Sequence, residues 1–180
     1  QEGDNLPVPE LRAVLMTGSI RGREAAAAAL AALRTNESAA ALCDGMTDPN
    51  GAIPAAEALD KACRANPEGM TPLLLPGLGH ADYRARMFTA YMLGVCADKA
   101  ASAPVASLLG DANFNVRFYA AEALRTCGDA AAAPALIKAG DDAPASNPLK
   151  AKVAEQIAML RTWDLRWGAK SIPTTLGVFW

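Results

Sequence analysis

Two stretches of the chain carry the same pattern of apolar and polar positions. In "FNVRFYAAEALRTCGD", Phe114 to Asp129, residues Ala121, Leu124 and Cys127 recur every three positions, a spacing that gathers side chains on one face of an α-helix. In "YRARMFTAYMLGVCAD", Tyr83 to Asp98, residues Ala90, Leu93 and Cys96 do the same 31 residues earlier. Other positions match as well: Arg86 with Arg117, Asp98 with Asp129, Tyr83 with Phe114, and Phe88 with Tyr119. The preceding turns "GHADYRAR" and "GDANFNVR" also align, and each long helix leads to a shorter, proline-led one, "APVASLLGD" and "APALIKAGDD". Proline suits the first helical turn, where its missing N–H costs nothing, and glycine closes the short helices at Gly110 and Gly140.

Weaker copies flank these two. "REAAAAALAALR" places Leu30 at the Leu93 position, "AIPAAEALDKAC" places Leu59 there with Ala52 in place of arginine, and "KVAEQIAML" puts Lys152 at the arginine position. The register Arg23, Ala52, Arg86, Arg117, Lys152 has spacings of 29, 34, 31 and 35 residues. Such periods mark stacked supersecondary units, each too small to bury its apolar face alone.

The pattern predicts an all-α fold: an α-solenoid of about five helix–turn–helix repeats over residues 1–170, with an extended, β-branched and aromatic tail at 171–180. An N-terminal helix is expected near Pro9–Met16. Long helices are expected near Arg21–Arg34, Ile53–Ala65, Tyr83–Ala97, Phe114–Thr126 and Leu149–Leu165, and shorter partners near Glu37–Met46, Met70–Leu78, Ala103–Leu109 and Ala133–Ala139. Asp82 and Asn113 are the expected N-caps of the two clearest long helices.

Composition agrees. The 180 residues are 52% hydrophobic but only 6% aromatic, and alanine supplies much of the apolar content, favouring helix and close helix packing. The net charge is −2 and no Lys/Arg cluster is present, which speaks against nucleic acid as a partner. No apolar run reaches the roughly 18 residues that cross a bilayer. The run "EAAAAALAAL", flanked by Arg21, Arg23 and Arg34, reads as a tightly packed soluble helix. The first residue is Gln1, not Met, which points to a secreted or periplasmic protein after signal cleavage, with a cytoplasmic chain cut at a domain edge as the alternative.

Candidate chemistry is sparse. His80 is the single histidine and stands two residues from Asp82, but no nucleophile elbow or oxyanion loop accompanies it. Cys43, Cys63, Cys96 and Cys127 include no CxxC pair, so zinc is not indicated. Equivalent positions in adjacent repeats are spaced too widely for a Cys96–Cys127 disulfide, whereas Cys43–Cys63 could bridge consecutive helices. No catalytic residue, cofactor or metal is expected.

The unit "DANFNVRFYAAEALRTCGDAAAAPALIKAGDD" resembles the HEAT-repeat family, in particular the short bacterial type of phycobilin-lyase-like proteins. The matching features are Asp111, Val116-Arg117, "AAEAL" at Ala120 to Leu124, the Gly128-Asp129 turn and the proline-led second helix. An ankyrin-like reading of "GMTPLLLPGLGH" fails, because Leu74 replaces the histidine and Pro76 falls inside the would-be helix. The resemblance implies that the recurring arginines brace neighbouring repeats by pairing with an acid in the adjacent turn, with Asp111 in place to do so. It also excludes the hydroxylases of this family, whose paired His-Glu iron ligands one histidine cannot supply. The expected function is a non-enzymatic module that binds another protein, through the short-helix surface near Ser107 and Lys138 and an aromatic C-terminal edge of Trp163, Trp167, Phe179 and Trp180. The alternative is a lyase-associated or other cofactor-handling protein.

Overall fold

The computed structural model describes residues 7–129 and 132–141, and the described residues contain helices and turns with no strand. The nine helices among the described residues are α1 (Val8–Thr17), α2 (Ile20–Leu33), α3 (Asn36–Gly45), α4 (Ala52–Ala65), α5 (Pro67–Leu74), α6 (Tyr83–Cys96), α7 (Ser102–Ser107), α8 (Phe114–Cys127) and α9 (Ala133–Asp141). Short 3₁₀ turns extend α5 over Leu75–Gly79 and α7 over Leu108–Gly110.

Local chemistry fixes most boundaries. Ser19, Asn66, Asp82 and Asn113 each accept a backbone N–H from the first turn of the following helix, and Thr35 and Ser38 form a reciprocal capping box on α3. The sequence expectations hold to within a few residues except for α5. That helix starts at Pro67 instead of Met70, because Asn66 caps it and Pro67 occupies its first position. It narrows to a 3₁₀ turn at Leu75, just before Pro76. α9 runs one residue beyond Gly140. The expected helix at Leu149–Leu165 and the tail at 171–180 lie outside the described residues.

Long helices α2, α4, α6 and α8 pack side by side in one layer, and α3, α5, α7 and α9 form the second. Helix α1 packs on α2 and α3, closing the first repeat with Leu11 and Leu15. The core is one continuous strip between the layers. The register leucines Leu30, Leu59, Leu93 and Leu124 are all 5% exposed or less. The short helices meet them with Leu42, Leu74, Val105 and Leu108. Each such side chain contributes roughly 1.5–3 kcal/mol on burial, which a single isolated repeat could not collect on both faces.

The alanines set the spacing. Between α6 and α8, a Cβ placed on Gly94 would lie 2.8 Å from the Cα of Ala123, so these helices touch nearly backbone to backbone. Thr126 Oγ1 donates to the Gly94 carbonyl at 2.6 Å across the same seam.

Candidate functional surface

The recurring polar residues are the natural candidates for a site, and the structure shows what each one holds. Arg86 spans two repeats. Its Nε and one terminal nitrogen donate to the two carboxylate oxygens of Asp111 at 2.8 and 3.0 Å, while its other terminal nitrogen donates to the carbonyls of His80 and Ala81. The pair is mostly buried, with side-chain exposures of 18% and 8%. The Arg86 guanidinium holds the Asp111 carboxyl below its ordinary range despite the opposing effect of burial. Asp111 Oδ1 also accepts the N–H of Asn113, which shapes the turn before α8. Arg117 repeats half of this arrangement, donating to the carbonyls of Asp111 and Ala112, with its guanidinium 5.8 Å from the centre of the Phe114 ring. Arg86 therefore braces two repeats, while Arg117 fixes the turn of its own.

His80 occupies the position that Asp111 holds one repeat later. Its Nδ1 accepts the N–H of Asp82 at 3.0 Å, as Asp111 Oδ1 accepts that of Asn113. With Nδ1 accepting, the ring hydrogen of the neutral imidazole sits on Nε2, which donates to Asp44 Oδ1 at 3.1 Å. Asp44 also accepts from Arg12 Nε at 2.9 Å, so one carboxylate ties α1 and α3 to the turn before α6. The imidazole takes over this role because the preceding repeat has Ala52 at the arginine register, leaving no guanidinium for a carboxylate at position 80. The side chain of Asp82 is engaged elsewhere. It caps α6 and pairs with Arg84, which holds its carboxyl down at about 2.

The first repeat departs from the ladder. Arg23 has the register of Arg86, and Asp48 lies the same 25 residues ahead. Asp48 Oδ1 accepts the N–H groups of Asn50 and Gly51, yet Arg23 Nε is buried without a hydrogen-bond partner.

All four cysteines are buried free thiols, so the Cys43–Cys63 bridge that the sequence left open is not formed. Cys43 Sγ lies 3.7 Å from Thr89 Oγ1 and not against Cys63, because α3 turns this face to α6. The Cys63 thiol instead meets that of Cys96, and this contact, followed by burial, raises it. Burial pushes Cys127 up to about 11. Cys63, Cys96 and Cys127 are small core residues of the long-helix layer, and Cys43 is one on α3.

Ser107 and Lys138 are both exposed and occupy the same register, 31 residues apart, on the adjacent short helices α7 and α9. The Ser107 hydroxyl donates to the Pro104 carbonyl at 2.7 Å. Trp163, Trp167, Phe179 and Trp180 lie outside the described residues.

Three features escaped the sequence reading. Lys99 Nζ donates to the Thr126 and Gly128 carbonyls at 3.0 and 2.6 Å, closing the C-terminal end of α8. Large apolar residues stand exposed at the starts of all four long helices: Ile20, Ile53, Tyr83 and Phe114. Between α2 and α4 the layer opens into a groove of about 720 Å³. Alternation within single helices signals none of these.

The stacked helix pairs, the shared core and the Arg86–Asp111 brace define an α-solenoid. A family model described as HEAT repeats matches residues 71–158, and one described as PBS lyase HEAT-like repeat matches residues 22–48. The chain belongs to the HEAT-repeat family. No curated protein matches it. No helix among the described residues is long and apolar enough to cross a membrane.

Proposed function

We propose that the chain is a protein-binding module whose partner docks on the layer of short helices α3, α5, α7 and α9. The observation that carries this reading is the use of the recurring residues. Arg86 and Asp111 join two repeats, Arg117 fixes the turn before its own helix, and the register cysteines are core residues, so the repetition has a structural cause. What a rigid stack of this kind offers is an extended surface whose exposed positions vary from one repeat to the next, as Ser107 and Lys138 do. HEAT repeats in general serve such interactions.

A photo-reactive amino acid placed singly at position 107 or 138, and at Glu122 on the opposite layer as control, tests the reading. Cross-linking of a common partner from positions 107 and 138 but not from 122 supports it. Equal labelling at all three positions, or labelling from 122 alone, counts against it.

A second reading, a cofactor-handling protein, draws its support from the lyase-like description of the model that matches residues 22–48. A shift in the absorbance of a linear tetrapyrrole on mixing with the protein would favour it.

A further inference from the structure

The groove between α2 and α4 has an alanine floor and a charged rim. Ala28, Ala31 and Ala32 of α2 and Ala58 and Ala62 of α4 form the floor. The outward residues Ala25, Ala28 and Ala32 are exposed, and the nine residues Ala25–Leu33 include no polar side chain. A helix that is apolar on every face is ordinarily covered on every face. Here the outer face of α2 is open.

The rim indicates the cover. Glu24, Arg34, Glu57 and Lys61 are all exposed on the groove, and none belongs to an ion pair among the described residues. Helices α2 and α4 start at the same end of the layer, because Gly51 before α4 packs against Leu15, close to the start of α2. Glu24 and Glu57 therefore lie toward one end of the groove, and Arg34 and Lys61 toward the other. A surface that is acidic at one end and basic at the other is complementary to itself after a half-turn about an axis perpendicular to the helices. That rotation sets Glu24 and Glu57 of one copy against Arg34 and Lys61 of the second.

We infer that the face formed by α2 and α4 is a homodimer interface, in which α2 of each copy packs antiparallel against α2 of the other. Shape and charge agree. An alanine ridge lets the two α2 helices approach to about 8 Å, the near end of the helix-packing range. The four rim charges then find opposite charges without any change in the fold, fixing the antiparallel register. A partner of another sequence would satisfy the rim only by coincidence, whereas a second copy does so by symmetry. The opposite, short-helix layer stays free, so this inference does not depend on the docking surface proposed above.

Sedimentation equilibrium of the full chain tests it with three variants, circular dichroism confirming that each is folded. The wild type is expected at twice the chain mass. Ala28→Arg, at an exposed position, should raise the dissociation constant at least tenfold. Glu24→Lys/Glu57→Lys makes the rim wholly basic, and Arg34→Glu/Lys61→Glu makes it wholly acidic. Each double variant alone should be monomeric, and their equimolar mixture should form a heterodimer. A monomeric wild type at hundreds of micromolar, a dimer indifferent to Ala28→Arg, or charge variants that fail to associate on mixing would each overturn the inference. None of these results would affect the cross-linking test at positions 107 and 138.

Discussion

Arg86 and Asp111 meet through two hydrogen bonds of 2.8 and 3.0 Å across the junction of two consecutive repeats. The same arginine reaches back to the carbonyls of the turn that starts its own helix. One side chain thus fixes the turn of its own repeat and the entrance of the next. The stack is therefore aligned by a directional contact as well as by its apolar strip, which alone would tolerate sliding.

Removing the carboxylate should be costly. Asp111→Ala leaves the mostly buried guanidinium short of two acceptors and frees the N–H of Asn113. A loss of about 1.5–3 kcal/mol follows from the usual value of hydrogen bonds to charged groups. The pH dependence has a definite sign. Arg86 lowers the Asp111 carboxyl from its ordinary value of 3.8 in the folded chain. The pair therefore contributes fully above that value and loses its contribution as pH falls through the lower, folded one. Urea unfolding of wild type and Asp111→Asn should show a constant gap from neutral pH down to about pH 5, closing below pH 4. A gap independent of pH down to acid unfolding would refute the assignment.

Position 80 provides a sharper test, because the repeat pattern and the structure give opposite advice. The pattern recommends His80→Asp, restoring the residue found at 111. In the structure that carboxylate would face Asp44, now 3.1 Å from the imidazole, with alanine at the register where its arginine should stand. The substitution should destabilise by about 1–2 kcal/mol, as expected when a hydrogen bond is replaced by repulsion between partly buried like charges. Adding Asp44→Asn should recover part of the loss. A His80→Asp variant as stable as wild type would show that the Asp44 contact contributes nothing.

The fold was legible in the sequence because its cause is local and repeated. The period, the capping residues at 82 and 113 and the register leucines each mark one helix, and copying them marks the stack. Arg86 and Asp111 were legible for the same reason, since a brace needed at each step recurs. What lay hidden depends on single tertiary contacts. His80 meets Asp44 across 36 residues of chain, and Cys43 turns to Thr89 instead of Cys63, because the α3–α6 contact is set by packing and not by chain order. The α2–α4 groove is a gap between helices, and nothing within "EAAAAALAAL" records the distance to the next helix. The start of α5 was legible and was missed, as Asn66-Pro67 carries both cap and first-turn signals.

The thiols should behave as core residues. Burial raises Cys43 and Cys127, the latter to about 11, so both remain neutral at pH 8. An aromatic disulfide reagent should modify little of the native protein within minutes and all four cysteines in guanidinium. Two groups released under denaturing, non-reducing conditions would instead reveal one disulfide and contradict the free-thiol arrangement.

Two glycines separate packing from backbone entropy. Gly94 sits where α6 and α8 nearly touch, and the Cβ of an alanine there would meet the Ala123 backbone at 2.8 Å and its Cβ at 3.0 Å. A backbone atom cannot swing aside as a side chain can, so the helices must part and strain the Thr126–Gly94 bond. Gly94→Ala should cost about 1–3 kcal/mol, the usual penalty for overpacking, even though alanine is the better helix former. Gly110 ends the 3₁₀ turn after α7, has no positive φ, and would place a Cβ in open space. Gly110→Ala should stabilise by about 0.4–1 kcal/mol by restricting the unfolded chain. Chemical denaturation of both variants gives the comparison. Opposite signs are required, since both changes add one methyl group to a glycine at corresponding ends of neighbouring elements. Ala123→Gly should not rescue Gly94→Ala fully, because the closest clash is with the Ala123 Cα, which that change leaves in place.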